Sequence, residues 1–245
     1  MDKTEQMKIA VAGGTGVVGR HVVDVARERG YDVVVLSRGE GVDLTTGAGL
    51  AERLAGVDAV IDVTSVRTQQ KEASEAFFGG VTRNLQAAGA AYVVALSIVG
   101  VDDVETGYYA GKRLQERLLA EGATPWSVLR ATQFHEFAEQ VLGFVRVGPF
   151  ALVPRMLSQP VAAREVAEAL VDLAEAGPSG RVPDLAGPER LDMVDLARRV
   201  AAGRPRVVPV RVPGAAGRAM RSGALCPTGP GPRGSITFDA WLAAR

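Results

Sequence analysis

Val11-Ala12-Gly13-Gly14-Thr15-Gly16-Val17-Val18-Gly19 is the stretch that decides how this chain folds. It follows a short apolar run, Lys8 to Ala12, and opens a segment of helical periodicity from Gly16 to Arg29. Three glycines recur as Gly-x-x-Gly-x-x-Gly at Gly13, Gly16 and Gly19. In a strand-to-helix turn, one glycine permits the tight bend, another lets a pyrophosphate approach the backbone, and the last lets helix and strand pack closely. The helix that starts there aims its free N–H groups and the positive end of its dipole at the phosphates. A plain glycine-rich turn has the same composition. Its placement directly after an N-terminal strand favours dinucleotide binding, with Gly13, Thr15, Gly16, Val17, Val18 and Gly19 as contacts.

Outward from the turn, apolar runs alternate with helical stretches up to about residue 140, the pattern of parallel βαβ units. Strands are expected at Lys8 to Ala12, Asp32 to Leu36, Asp58 to Val63, Tyr92 to Ser97 and Trp126 to Ala131, with a weaker one near Val42-Asp43. The runs are continuously apolar, so both sheet faces must be covered, as in a Rossmann-type doubly wound parallel sheet. Helices are expected over Gly16 to Arg29, Gly47 to Ala55, Lys71 to Ala88 and Tyr108 to Ala120, with Gly30, Gly56 and Gly122 where helices stop. The division is residues 1–140 as a dinucleotide-binding Rossmann core and 141–245 as a small C-terminal substrate lobe in the same folding unit. That lobe carries one clear amphipathic helix, Ala163 to Glu175, and a Gly/Pro/Ser/Arg-rich stretch, Gly214 to Gly234, expected to be loop or disordered.

Composition removes other classes. Lys plus Arg and Asp plus Glu are 28 each, so no excess charge is available for a nucleic acid or an anionic membrane. One cysteine, Cys226, can form no internal disulfide and, without metal-ligand spacing, marks no metal site. A reducing cytoplasm fits. No apolar run approaches a bilayer span, and the polar opening Met1 to Gln6 reads as a frayed leader rather than a secretory signal. Partners are therefore a small-molecule substrate, no nucleic acid and no membrane, in a monomer or homodimer.

The second strand ends Leu36-Ser37-Arg38, where an NAD site would be expected to offer a carboxylate to the ribose diol. Arg38 offers a planar fork of donors and Ser37 a hydroxyl, which suit a 2′-phosphate and favour NADP(H) over NAD(H). Glu40 is two residues on and within reach of a ribose.

Ser97 closes one strand, and Tyr108-Tyr109-Ala110-Gly111-Lys112 opens the next helix. Open α/β sheets bind ligands beyond the carboxyl ends of their strands. Tyr108 and Lys112 stand at i and i+4, so an ammonium can lie beside a phenol, whose ordinary pKa of about 10 would have to move to suit a general acid/base. Tyr109, at i+3 from Lys112, shares the face, and spacing alone does not choose between the tyrosines. Ser97 is placed to hydrogen-bond the same substrate oxygen.

These segments resemble the short-chain dehydrogenase/reductase superfamily, and more closely its atypical, NmrA-like branch of NAD(P)-binding proteins. The resemblance is carried by Val11 to Gly19, by Leu96-Ser97-Ile98-Val99-Gly100-Val101-Asp102, by Tyr108 to Lys112, and by Leu129-Arg130-Ala131-Thr132-Gln133-Phe134-His135-Glu136-Phe137. It continues more weakly through Gln159-Pro160-Val161 and Val182 to Pro188. It implies Ser97, Tyr108 and Lys112 as catalytic residues, Tyr108 moving the substrate proton and Lys112 binding the nicotinamide ribose and lowering the tyrosine pKa. Further cofactor contacts are expected at Asp43, Leu44, Val63 and Thr64, and along the nicotinamide at Ala131, Thr132 and Phe134. Asn84 resembles a helix asparagine that related enzymes place near the active site. The function implied is an NADP(H)-dependent oxidoreductase acting on a small carbonyl, alcohol or quinone-like compound. The branch also holds redox sensors that bind the dinucleotide without turning it over, and the same fold supports epimerases and dehydratases. His135 and His21 are expected to be mainly structural, and the arginines of the C-terminal lobe a solvated surface.

Overall fold

A computed structural model describes residues 6–245, so most of the polar leader lies outside the described residues. In chain order the elements are β1 Lys8–Ala12, α1 Val17–Glu28, β2 Asp32–Leu36, α2 Leu50–Arg53, β3 Ala59–Asp62, α3 Lys71–Ala87, β4 Val93–Ile98, α4 Gly107–Glu121 and β5 Trp126–Ala131. There follow α5 Phe137–Phe144, β6 Arg146–Val147, β7 Phe150–Pro154, β8 Leu157–Ser158, α6 Ala163–Ala176, β9 Gly180–Arg181, β10 Leu191–Asp192, α7 Met193–Ala201, β11 Arg206–Val210, α8 Gly214–Ser222 and α9 Phe238–Ala243.

The main sheet has the order β2-β1-β3-β4-β5-β9, with β1 parallel to both β2 and β3. Chain order reverses between β1 and β3, the switch point at which a doubly wound sheet opens a crevice. The Rossmann-type α/β fold is thus present. Ile9 to Ala12 of β1 are fully buried, because helices cover both faces of a strand with no polar alternation. The apolar stripe of α1, Val18, Val22, Val25 and Ala26, is buried.

Three local expectations differ: the helix expected over Gly47 to Ala55 shortens to Leu50–Arg53, because Gly47 and Gly49 take left-handed φ of +80° and +75°. No strand forms at Val42-Asp43; only an isolated antiparallel bridge joins Asp43 to Ala48. The Asp43 carboxylate accepts from Thr45 N–H (2.9 Å) and Thr45 Oγ1 (2.6 Å), an Asx turn that takes the backbone away from a ladder. Gly214 to Ser222 is helix rather than loop, since Ala215, Ala216, Ala219, Met220 and the arginines are strong helix formers that outweigh the glycines.

The chain divides into two compact units: Met1–Ser97, Thr106–Leu129 and Val166–Val182 in one, and Ile98–Glu105, Arg130–Glu165 and Pro183–Arg245 in the other. The first holds the main sheet with α1 to α4. The second holds a three-stranded sheet, β11-β7-β6, a β8–β10 pair, and α5, α7, α8 and α9. Among the described residues no helix is long and apolar enough to cross a membrane.

Candidate functional site

The glycine turn sits where β1 hands over to α1. Gly13 has φ +83°, a left-handed conformation that costs a side chain strain, and an added Cβ would stand 2.9 Å from Val63 O. At Gly19 an added Cβ would run into Gly13 O and Gly14 Cα, so α1 can only start against the turn if this position is bare. The turn closes with Gly16 N–H donating to Gly13 O at 2.9 Å. Gly16 caps α1 without a side-chain bond and no acid lies in the first turn, which leaves the helix start free for an anion. Thr15 and Gly16 are exposed, Val17 half-buried and Val18 buried.

Beside the turn stands the end of β3. Thr64 N and Cα lie 3.0 Å from the position a Gly13 Cβ would take, and Thr64 Oγ1 is buried without a hydrogen-bond partner. An orphaned buried hydroxyl next to a bare phosphate-type turn fits a polar ligand at this place.

At the end of β2, Ser37 O accepts from Glu40 N–H and Val42 N–H, so the chain curls into a 3-10 turn, Arg38–Glu40, with Arg38 exposed at its start. Arg38 contributes to holding Asp43 below the usual carboxylate range, behind the larger effect of the Thr45 hydrogen bonds. Glu40 is engaged with Arg53, which donates to Glu40 O at 2.7 Å and reaches Oε2 at 3.5 Å. Leu44 is half-buried; its carbonyl, with that of Thr45, accepts from Asn84 Nδ2 at 2.9 and 3.0 Å. Asn84 therefore fastens this loop to α3.

The third component is α4. Thr106 caps it by accepting from Tyr109 N–H, and α4 packs closely on α3 at Gly111, where any side chain would meet Ser74 and Phe78. Ser74 Oγ donates to Tyr108 O at 2.8 Å. The Tyr108 hydroxyl shares a 3.1 Å hydrogen bond with Ser65 Oγ, one residue beyond Thr64. The geometry thus brings Tyr108, rather than Tyr109, towards the β3 end. Burial pushes the Tyr108 phenol up, the Ser65 bond pulls it down less, and Asp62 adds to the rise. Tyr109 is raised further by burial.

Lys112 is buried, and its partners are not the ones the spacing implied. The ammonium donates to Leu96 O (2.9 Å) and Gln115 Oε1 (2.9 Å) and lies 4.3 Å from the centre of the Phe78 ring. Phe78 also meets Tyr108 edge-on at 5.5 Å, so one ring stands against both groups. Burial lowers the lysine to about 8, against opposing contributions from Asp62 and Glu116. Lysine-driven lowering of the tyrosine is therefore replaced here by burial-driven raising. Ser97, also buried, donates to Glu116 Oε1.

Asp62, Ser65, Phe78, Gln115 and Glu116 were missed in the sequence. A signal existed: Asp62 is an acid ending the apolar run Ala59-Val60-Ile61, and Gln115 and Glu116 lie one helical turn past Lys112.

The remaining predicted contacts lie in the second unit. Ala131, at the end of β5, bridges to Leu185 and accepts from Val99 N–H. Thr132 Oγ1 donates to Gln159 O at 2.6 Å, and Phe134 bridges to Val161. His135 is buried, bonded to Ile236 O at 3.1 Å and packed against Phe238 and Trp241, with its pKa lowered by burial.

The model of the NAD dependent epimerase/dehydratase family matches residues 9–96. Comparison with curated proteins gives no match. Among solved structures, a nucleoside-diphosphate-sugar epimerase from Staphylococcus aureus is similar at 15% identity and TM-score 0.65, over 96% of this chain and 99% of that one. A UDP-glucose 4-epimerase from Thermus thermophilus, solved with NAD, is similar at 18% identity and TM-score 0.64, over 97% and 93% of the two chains. A dTDP-4-dehydrorhamnose reductase from Yersinia enterocolitica is similar at 14% identity and TM-score 0.59, over 84% of each chain. At these identities the likeness is one of fold. Residues 9–96 are thus similar in sequence to the NAD dependent epimerase/dehydratase family, and the chain shares the fold of these solved structures.

Proposed function

We propose that the chain is an NADP(H)-dependent oxidoreductase acting on a small carbonyl, alcohol or quinone-like compound, with Tyr108 as its general acid/base. The observation that carries this is the bare turn at Gly13, Gly16 and Gly19 ahead of α1, with the Tyr108 hydroxyl held at Ser65, one residue past the orphaned Thr64 hydroxyl. Backbone N–H groups of Gly13 to Gly19 hold the pyrophosphate at the helix start. Ser37 and Arg38 take the 2′-phosphate, and the loop residues Asp43 and Leu44, with Val63 and Thr64 just past β3, complete the contacts to the dinucleotide. When bound, the nicotinamide supplies or receives the hydride. Tyr108, protonated throughout the neutral range because burial raises it, gives its proton to a substrate oxygen in the reductive direction and recovers it from solvent. Ser97, its own proton committed to Glu116, orients a substrate hydroxyl by accepting from it. Lys112 keeps positive charge beneath the site.

Tyr108→Phe tests the assignment. NADPH affinity is expected to stay within about twofold while turnover falls by about a hundredfold or more, the usual worth of a general acid. Unchanged turnover would remove Tyr108 from the mechanism.

A second reading, favoured by the family that residues 9–96 match and by the sugar-nucleotide epimerases of like fold, is an epimerase or dehydratase that uses the cofactor transiently. NADPH with a panel of aldehydes and quinones separates the two. A net fall in nicotinamide absorbance supports the oxidoreductase. Conversion of a nucleoside-diphosphate sugar without net change supports the epimerase or dehydratase.

A further inference from the structure

Beneath the α4 face lies a buried polar chain that neither the glycine turn nor the tyrosine requires. Asp62, at the end of β3, is 1% exposed. Its Oδ1 accepts from Thr64 N–H at 2.9 Å and its Oδ2 accepts from Gln115 Nε2 at 2.8 Å. Gln115, also 1% exposed, turns its Oε1 to the Lys112 ammonium at 2.9 Å. A glutamine amide has one acceptor end and one donor end. Because the carboxylate claims the donor end, only the acceptor end can face Lys112. The carboxylate thus fixes the orientation of the amide, and the amide fixes the ammonium.

The energetic need is clear. An ammonium removed from water and left unpaired sheds its proton rather than remain charged. Leu96 O and the Phe78 ring stabilise the charge from two sides, yet neither carries a formal negative charge. Asp62 supplies one within a single amide's length, and Glu116 supplies a second from the same helix. The titratable and charged groups bearing on Lys112 are therefore Asp62 from β3, Glu116 from α4, and the Tyr108 phenol across the Phe78 ring.

We propose that Asp62 and Gln115 are positioning residues for Lys112: the carboxylate, acting through the oriented amide, keeps the lysine protonated and aimed at the dinucleotide. The second half of that statement rests on the proposed function; the first half does not.

The chain's lysines are Lys3, Lys8, Lys71 and Lys112, so lysine labelled with carbon-13 at Cε gives a spectrum in which Lys112 is assigned by its loss in Lys112→Arg. In the full chain Lys112 is expected to titrate at about 8. Asp62→Asn is expected to move that midpoint down by about one unit, since it removes the opposite charge and offers a second donor to Gln115. Gln115→Met, close in shape but without either bond, is expected to do the same and serves where Asp62→Asn does not fold. NADPH affinity is measured alongside at pH 6 and pH 8. A lowered midpoint with affinity weakened about fivefold at pH 8 and unchanged at pH 6 supports both halves. A lowered midpoint with unchanged affinity supports the chain Asp62–Gln115–Lys112 and overturns the contact between Lys112 and the dinucleotide. An unmoved midpoint in both variants overturns the proposal, whatever the affinity does.

Discussion

Gly19 lies so close to Gly13 that a Cβ on the first would overlap the carbonyl oxygen of the second. The third glycine of the motif is thus a steric requirement for starting α1 against β1. Gly19→Ala is expected to cost about 1–3 kcal/mol of stability by forcing the turn apart, and to abolish the rise in melting temperature that NADPH produces. Gly16→Ala, whose Cβ would stand 3.2 Å from Gly13 O, is the milder control and is expected to lose much less of both. Urea unfolding and melting curves with and without NADPH check the pair.

Arg38 stands exposed at the end of β2, with no carboxylate at the strand end. NADPH is expected to raise the melting temperature of the wild type more than NADH at equal concentration. Arg38→Glu is expected to weaken NADPH by about ten- to a hundredfold, the worth of one charge-assisted phosphate contact, while leaving NADH unchanged or improved. Stronger stabilisation of the wild type by NADH would refute the assignment of the 2′-phosphate to Ser37 and Arg38.

Lys112 gives stability a pH dependence of known sign. Its folded value of about 8 lies below the ordinary 10.5, so the folded chain holds this proton less tightly than the unfolded chain. The resulting penalty on folding is fully present below about 8 and is relieved as pH rises towards 10.5. Between pH 7 and 9.5, the wild type is expected to gain about 2 kcal/mol relative to Lys112→Met, read from urea midpoints at the two pH values.

The Tyr92 hydroxyl sits 2.7 Å from Ser127 Oγ, 2.9 Å from Leu173 O and 3.0 Å from Gly177 O, pinning the end of α6 to β4 and β5 within the first unit. Tyr92→Phe keeps the ring and removes the knot. It is expected to cost about 1–2 kcal/mol and lower the melting temperature by a few degrees, without changing NADPH affinity.

Local signals were strong enough to fix much of this chain from its sequence. The run of valines in Asp32 to Leu36 and the apolar Lys8 to Ala12 can only be two-face-buried strands, and β1, β2 and β5 fall on the expected residues. The glycine spacing after β1 specifies a turn that admits a phosphate, because the steric limits at Gly13 and Gly19 are set by the backbone alone. The i and i+4 placement of Tyr108 and Lys112 put both on one helix face. It did not say where either polar end would go. That was decided by residues far apart in sequence: Phe78 from α3 stands against both groups, Ser65 receives the phenol, and Asp62 receives, through Gln115, the ammonium. Burial then reversed the expected direction at Tyr108, since desolvation depends on what packs around the phenol and not on its spacing from a lysine. The partners of Asn84, the Leu44 and Thr45 carbonyls, and of His135, the Phe238 and Trp241 rings, are likewise brought together only by tertiary packing. Backbone sterics and hydrophobic period are local and can be read along the chain, whereas the protonation and aim of a buried side chain are set by neighbours that only the folded chain assembles.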